Sequence, residues 1–163
     1  MQVKIKLLEG GIMPTKKTAG AAAYDCYAKE DVTVGENPTL IGLGFALELP
    51  EGYHAEIVPR SSIGLNTNLR QPNCVGVIDS DYRGEVKAMY ECKVHTCSRG
   101  MFDRFGGCEG IQTYLGVGNG EKIKKGERIA QMLIKKNEDV TLVEVDELSE
   151  TDRGDGGFGS TGK

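Results

Sequence analysis

The chain has 163 residues, which is enough for one domain with its own core and too few for two catalytic domains. Charged residues make up 27% of it and the mean hydropathy is -0.33, values that are typical of a folded soluble protein and exclude a disordered chain. A net charge of -4 argues against a general nucleic-acid-binding protein, because such proteins need a basic face to displace counterions from phosphates.

The first residues and the cysteines predict a cytoplasmic protein. MQVKIKLLEG lacks the continuous apolar core of a signal peptide, and no stretch approaches the roughly 18 apolar residues of a membrane span. Five cysteines are an odd number scattered over the chain, unlike the disulfide framework of a secreted domain. We therefore expect mostly reduced thiols and a cytoplasmic location.

Apolar and polar residues alternate with a period of two along most of the chain, which predicts β-strands. In chain order the clearest examples are VKIKL (3–7), GFALEL (44–49), EVKAMY (85–90) and VTLVEV (140–145). SSIGLN (61–66) suggests one short helix with a serine as its N-cap. Many short strands separated by Gly and Pro turns predict an all-β sandwich, jelly roll or barrel.

Two segments differ from this pattern. Residues 93–120 are rich in glycine and predict an excursion inserted between strands. From Arg153 to the last residue five of eleven positions are glycine, so ordering this tail is entropically costly without a binding partner. We expect one domain over residues 1–150, with the insert at 93–120, and a flexible arm over 151–163.

Before the tail, polar side chains stand out at four places, and each taken alone has an ordinary structural explanation. AAAYDCYA places Asp25 among small apolar residues, and Arg60 with two serines follows a strand in VPRSSIG, a pattern suited either to phosphate or to a capped helix. GVIDSDYRGEV (76–86) predicts a β-hairpin whose tip carries two carboxylates and a ring, or simply an Asp-rich turn. Gln131 is the notable polar residue of the strand in GERIAQMLI.

The tail GFGSTGK has the spacing of a phosphate-binding P-loop, but that motif needs a following helix and the sequence stops at its lysine. The glycine amides, two hydroxyls and Arg153 still offer hydrogen-bond donors to a polyphosphate, while Phe158 offers a flat face to a base. A frayed terminus is the alternative.

In this order, AAAYD, PRSS, GVIDSDYRG, GERIAQM and RGDGGFGSTG resemble the five ordered motifs of the homotrimeric dUTPase family, from about Lys16 onward. The resemblance implies a distorted jelly roll, a homotrimer with shared active sites, and Mg²⁺-dependent hydrolysis of dUTP to dUMP and pyrophosphate. That reaction would limit uracil in DNA and supply dUMP for thymidylate synthesis.

The resemblance also implies roles for individual residues around the base and sugar. Asp79 matches the aspartate that deprotonates the attacking water, and Tyr82 matches the ring beneath the deoxyribose. Asn73 matches an asparagine on the uracil edge, and the backbone of the following residues, including Val77 and Ile78, would contact the remaining base atoms. A main-chain pocket closed over C5 would exclude the methyl group of thymine and reject the amino group of cytosine.

Other matched residues face the phosphates. Asp25 matches the carboxylate that holds Mg²⁺ through water. The remaining phosphate and arm contacts implied by the resemblance are Arg60, Ser61, Ser62, Gln131, Arg153, Phe158, Gly159, Ser160 and Thr161. Among these, Phe158 would stack on uracil and the rest of the arm would close on the phosphates.

The chain departs from the family pattern at two places. Ser62 stands where the family usually has glycine, which predicts an altered rate more than a lost function. The segment between Tyr82 and Gly126, which includes residues 93–120, is much longer than the hairpin usual at this point of the family. Cys92, His95, Cys97 and Cys108 have types suited to zinc, but their spacing matches no common zinc finger, and reduced surface cysteines are the alternative. Inserts of this kind serve protein partners in some phage-encoded members, so a partner bound through residues 93–120 is also expected.

Two other functions stay open: a dCTP deaminase-type enzyme, whose paired serine resembles Ser61-Ser62, and a regulatory nucleotide-binding protein.

Overall fold

The computed structural model describes residues 1–92 and 120–157. Eleven strands and one short helix lie within these ranges. The strands are β1 Lys4–Leu7, β2 Tyr24–Tyr27, β3 Val32–Val34, β4 Thr39–Gly42, β5 Phe45–Glu48, β6 Tyr53–Pro59, β7 Leu69–Arg70, β8 Gly76–Ile78, β9 Lys87–Cys92, β10 Glu121–Ile123 and β11 Arg128–Lys136, and helix α1 is Ser61–Asn66. The predicted all-β class is confirmed. Within the described ranges no helix has the length and apolarity needed to cross a membrane.

The strands form four antiparallel groups. The largest sheet has the order β2-β11-β6-β8, and a three-stranded sheet has the order β4-β9-β7. Two smaller ladders pair β1 with β5 and β3 with β10. Because non-consecutive strands are neighbours in every sheet, side chains far apart in sequence meet on a shared face.

The core lies between the two larger sheets. Ile57 and Ile129 of the four-stranded sheet and Ile41 and Tyr90 of the three-stranded sheet belong to one buried apolar cluster. The Tyr90 hydroxyl donates a hydrogen bond of 2.7 Å to the carbonyl of Ile129, which links the two layers. Burying each such large side chain contributes about 1.5–3 kcal/mol, so this layer of contacts holds the sandwich together. The predicted β-sandwich is confirmed.

Three local predictions are wrong. VTLVEV (140–145) forms no strand, and Leu142 is 93% exposed, because β11 ends at Lys136 and no sheet edge in the described part of the chain pairs with this segment. Helix α1 is present, but its N-cap is Arg60 without a side-chain capping bond, since Ser61 already occupies the first helical position.

The segment 76–86 is not a β-hairpin. Strand β8 pairs with β6, whereas β9 pairs with β4 and β7. The turn chemistry itself is present, because the amide of Tyr82 donates to the carbonyl of Asp79. The chain then crosses to the other sheet, so residues 79–86 bridge the two layers of the sandwich.

Candidate functional site

Asp25 is the centre of a polar cluster on the four-stranded sheet. It lies on β2 and is only 6% exposed. Its Oδ1 accepts hydrogen bonds from Arg60 Nε and Gln131 Nε2, both at 3.2 Å, and its Oδ2 accepts one from Arg128 Nη1 at 3.1 Å. Three residues predicted from separate motifs therefore meet in one place, together with an arginine that the motifs did not single out.

Arg128 and Gln131 reach the same carboxylate because of a β-bulge in β11. Residues three apart on a regular strand point to opposite faces. The pairing of β11 with β2 shifts register between Arg128 and Ala130, and this extra residue returns Arg128 to the face of Gln131. Strict alternation along this strand would put Arg128 on the face opposite Gln131, and the bulge is what brings the two side chains to the same carboxylate.

The cluster keeps Asp25 ionised. Burial alone raises the pKa of this carboxyl, but hydrogen bonds from Gln131 and Arg128 and the charges of Arg60 and Arg128 outweigh it, so its pKa lies below the ordinary value. Arg60 also donates to Ser62 Oγ and to the carbonyl of Arg128, each at 3.2 Å. The carboxylate thus fixes two guanidinium groups, and the face they form is cationic and suited to phosphate oxygens.

Asp25 suits a hydrated Mg²⁺ better than a directly bound one. A carboxylate offers about four lone-pair positions, and three of them on Asp25 accept hydrogen bonds. One position on Oδ2 is left for a water molecule of the metal's hydration shell. In the described ranges no three acidic, histidine or cysteine side chains converge as ligands.

A second polar surface begins at β8, the edge strand of the same sheet. Asn73, Val77, Asp79 and Tyr82 are all exposed there, as a binding surface requires. The Tyr82 hydroxyl donates to the carbonyl of Glu85 at 3.1 Å, which folds the ring back over its own loop. An added Cβ at Gly84 would lie 2.3 Å from that hydroxyl oxygen, so the ring position requires glycine at this point.

The two surfaces are far apart in one chain. Strands β2 and β8 are three strand spacings apart in the sheet. Along the strands, the pairing of Gln131 aligns Asp25 with Val58 of β6, whereas Ile78 is aligned with Ala55 of the same strand. With about 4.8 Å between strands and about 3.3 Å per residue, the Cα atoms of Asp25 and Asp79 are about 20 Å apart. Within one chain, the carboxylate of Asp79 therefore cannot reach a phosphate that is bound at the Asp25 cluster.

The remaining predicted residues are distributed as follows. Ser61 is exposed at the start of α1, and Arg153 donates to the carbonyl of Gly156 within an exposed turn. Phe158, Gly159, Ser160 and Thr161 lie outside the described residues, as do His95, Cys97 and Cys108 and most of the insert. Cys92 is buried, and this burial raises the pKa of its thiol, which disfavours the thiolate that zinc needs.

Comparisons with known proteins agree with the sequence resemblance. The family model described as dUTPase matches residues 9–94 and 116–162. The chain is 36% identical to the deoxyuridine 5'-triphosphate nucleotidohydrolase of Finegoldia magna, with 99% of each chain covered. It is 39% identical to the enzyme of the same name from Nautilia profundicola over the full length of both. A solved dUTPase of Staphylococcus bacteriophage 80alpha with dUpNHpp superposes with a TM-score of 0.78 at 27% identity, over 99% of each chain.

Proposed function

Since the chain belongs to the dUTPase family, we propose that it hydrolyses dUTP to dUMP and pyrophosphate, using a site assembled from more than one copy of the chain. The single observation that carries this proposal is the concentration of cationic and amide donors around Asp25, on a chain whose relatives bear this enzyme's name. The same reaction would limit uracil incorporation into DNA and supply dUMP for thymidylate synthesis.

In this proposal Asp79 is the general base. Its carboxylate accepts a proton from water, whose oxygen bonds to the α-phosphorus while the bond from that phosphorus to the bridging oxygen breaks. Its exposed position at the end of β8 gives a water molecule access to it. Tyr82 packs beneath the deoxyribose, and its hydroxyl is already held by the carbonyl of Glu85, so the ring is fixed before substrate binds.

Arg60, Arg128 and Gln131 contact the triphosphate oxygens, with Ser61 beside the bridging oxygen that leaves. Because Asp25 holds both guanidinium groups in place, their positive charge is positioned before the reaction begins. Mg²⁺, when bound to the triphosphate, would neutralise charge on the departing pyrophosphate. This chain would hold the hydrated ion at the remaining lone-pair position of Asp25 Oδ2, which can accept a hydrogen bond from a water molecule of the ion's hydration shell.

The distance between the two surfaces supports a shared site in a homotrimer. One chain separates Asp79 from the Asp25 cluster by about 20 Å, which a neighbouring copy can close. The exposed apolar side chains Val140, Leu142, Val143 and Leu148 also favour an assembly that covers them. Arg153 and the arm to Thr161 are proposed to close over the bound nucleotide, with Phe158 on uracil.

Pyrophosphate release from dUTP, dCTP, dTTP and UTP with Mg²⁺ tests the activity. Release from dUTP alone is expected, and it should fall by about a thousandfold in Asp79→Asn. Asp81→Asn is the matched control, because it removes an exposed carboxylate two residues away and should retain turnover. Equal turnover by Asp79→Asn would refute the assigned base.

Mixing two inactive variants tests the shared site. Asp79→Asn and Arg60→Gln chains should each be inactive, and co-refolding them at equal amounts should restore about a quarter of wild-type activity, since a quarter of shared sites receive both intact residues. If each chain held a complete site, the mixture would stay inactive.

Two alternatives keep a specific motivation. Ammonia release from dCTP would assign the chain to a deaminase, which its Ser61-Ser62 pair resembles. A protein partner bound through residues 93–120 is motivated by the length of the insert and by its arginine and aromatic residues. Deleting 93–120 should then abolish capture of that partner while dUTP hydrolysis persists; loss of trimer assembly would contradict this. Cys26, Cys74 and Cys92, which are free thiols among the described residues, fit a cytoplasmic location.

A further inference from the structure

Gln71 is a buried polar residue that the motifs do not include. It is 8% exposed and lies just after β7. Its Nε2 donates two hydrogen bonds, one of 2.9 Å to the carbonyl of Ile57 on β6 and one of 3.2 Å to the carbonyl of Cys74. Because both neighbours are carbonyls, only the amide nitrogen can face them. One side chain therefore ties the turn before β8 to the strand beside it.

The other end of the same amide suggests a role beyond stability. Gln71 Oε1 is buried and has no hydrogen-bond partner among the described residues. A buried acceptor without a partner is unfavourable, and an apolar side chain would fill this position without that loss. The presence of an amide here therefore favours a role for Gln71 in fixing the conformation of the turn.

The turn that Gln71 holds is strained. Cys74 has φ 58, the only positive φ among the described residues other than glycine, and this conformation favours glycine over residues with a Cβ. The amide of Cys74 also donates back to the carbonyl of Gln71, so the two residues are joined in both directions. Asn73 is exposed within this turn, and its Nδ2 lies 3.6 Å from the position of a Cβ added at Gly76.

We propose that Gln71 is a positioning residue for base recognition, whose amide holds the 71–75 turn against β6 and so presents Asn73 and the following backbone to the uracil ring. This inference rests on the proposed function for the identity of the base. It makes Gln71 responsible for nucleotide affinity and leaves the chemical step to Asp79 and to the groups that contact the phosphates.

The test compares Gln71→Met with Tyr90→Phe. Methionine conserves the length of glutamine and removes both hydrogen bonds, while Tyr90→Phe removes a buried side-chain donor to the carbonyl of Ile129 in another part of the core. We expect Gln71→Met to raise the KM for dUTP by about tenfold, with kcat changed less than about threefold. Hydrogen exchange of the 71–76 peptide should rise in this variant, and Tyr90→Phe should change neither quantity.

Two further variants keep the test decisive. Cys74→Gly removes the cost of the positive φ, so adding it to Gln71→Met should recover at least about threefold of the lost affinity. Gln71→Asn keeps a shorter amide and should give an intermediate KM, which also covers the case in which the methionine variant does not fold.

The outcomes separate the two proposals. Equal KM and exchange in Gln71→Met and Tyr90→Phe, with wild-type dUTP turnover intact, would overturn the role of Gln71 and leave the proposed function standing. Absence of dUTP turnover in the wild type would overturn the proposed function. In that event hydrogen exchange still decides whether Gln71 holds the turn, since it needs no substrate.

Discussion

Replacing Asp25 by asparagine should destabilise the fold measurably. The side chain of Asp25 is 8% exposed, and its arginine partners are 21% and 36% exposed at Arg60 and Arg128. Breaking a fully buried ion pair by removing one partner costs about 3–5 kcal/mol, and exposed pairs contribute about 0–1 kcal/mol. This partly buried cluster lies between those limits, so Asp25→Asn should lose about 2–3 kcal/mol. For a chain of this size that corresponds to a fall in Tm of about 5–10 °C.

Thermal unfolding followed by circular dichroism, at fixed protein concentration because assembly also affects Tm, measures this loss. Glu48→Gln is the matched control, since Glu48 forms an exposed ion pair with Lys4, and its Tm should not change measurably. If Asp25→Asn lowers the Tm no more than Glu48→Gln does, the cluster does not support the fold as argued.

The loss of stability in Asp25→Asn relative to wild type should also depend on pH. The pKa of Asp25 in the folded state lies below its ordinary value of 3.8. Its ionised form therefore stabilises the fold above pH 3.8, and this contribution is lost as the pH falls through the folded-state pKa. The difference in Tm between wild type and Asp25→Asn should be constant from pH 5 to 7 and shrink below about pH 3.8. A difference that persists unchanged under acid conditions would contradict the charge-based explanation.

Three further changes have defined outcomes. Gly84→Ala should displace the Tyr82 ring and lower the preference for dUTP over UTP by about tenfold, measured as a ratio of kcat/KM, and an unchanged ratio would contradict the proposed sugar contact. Gly44→Ala should lower the urea midpoint of unfolding strongly, because Gly44 has φ +72 and an added Cβ would lie 2.3 Å from the Cα of Gly11. In the control Gly35→Ala, the added Cβ meets no atom within 4 Å, so the urea midpoint should change little. Truncation after Thr151 should reduce turnover severely at unchanged Tm, since residues 152–155 are exposed; near-normal turnover would refute a catalytic arm.

The sequence identified residues that come together around Asp25 more successfully than it predicted which strands pair. Asp25, Arg60 and Gln131 came from separate motifs and do meet around one carboxylate. Strand periodicity also identified the elements around them, because alternation reflects local burial on one face. It failed at VTLVEV (140–145), which alternates correctly but has no edge to pair with in the described part of the chain. Whether an alternating segment becomes a strand depends on an available partner, and that is not a local property.

Arg128 shows the same limit at the scale of one residue. Its place in the cluster depends on a bulge that shifts β11 by one residue against β2, and nothing in the alternation of GERIAQMLI marks that shift. The bulge puts an arginine and an amide beside Asp25, while the turn proposed to recognise the base lies next to β8 at the far edge of the sheet. In such an arrangement the groups proposed to bind phosphate are preorganised, and Asp79, the proposed general base, is remote from them within one chain. Assembly would then be a requirement for catalysis, and dilution below the trimer's dissociation constant should abolish turnover before it unfolds the sandwich.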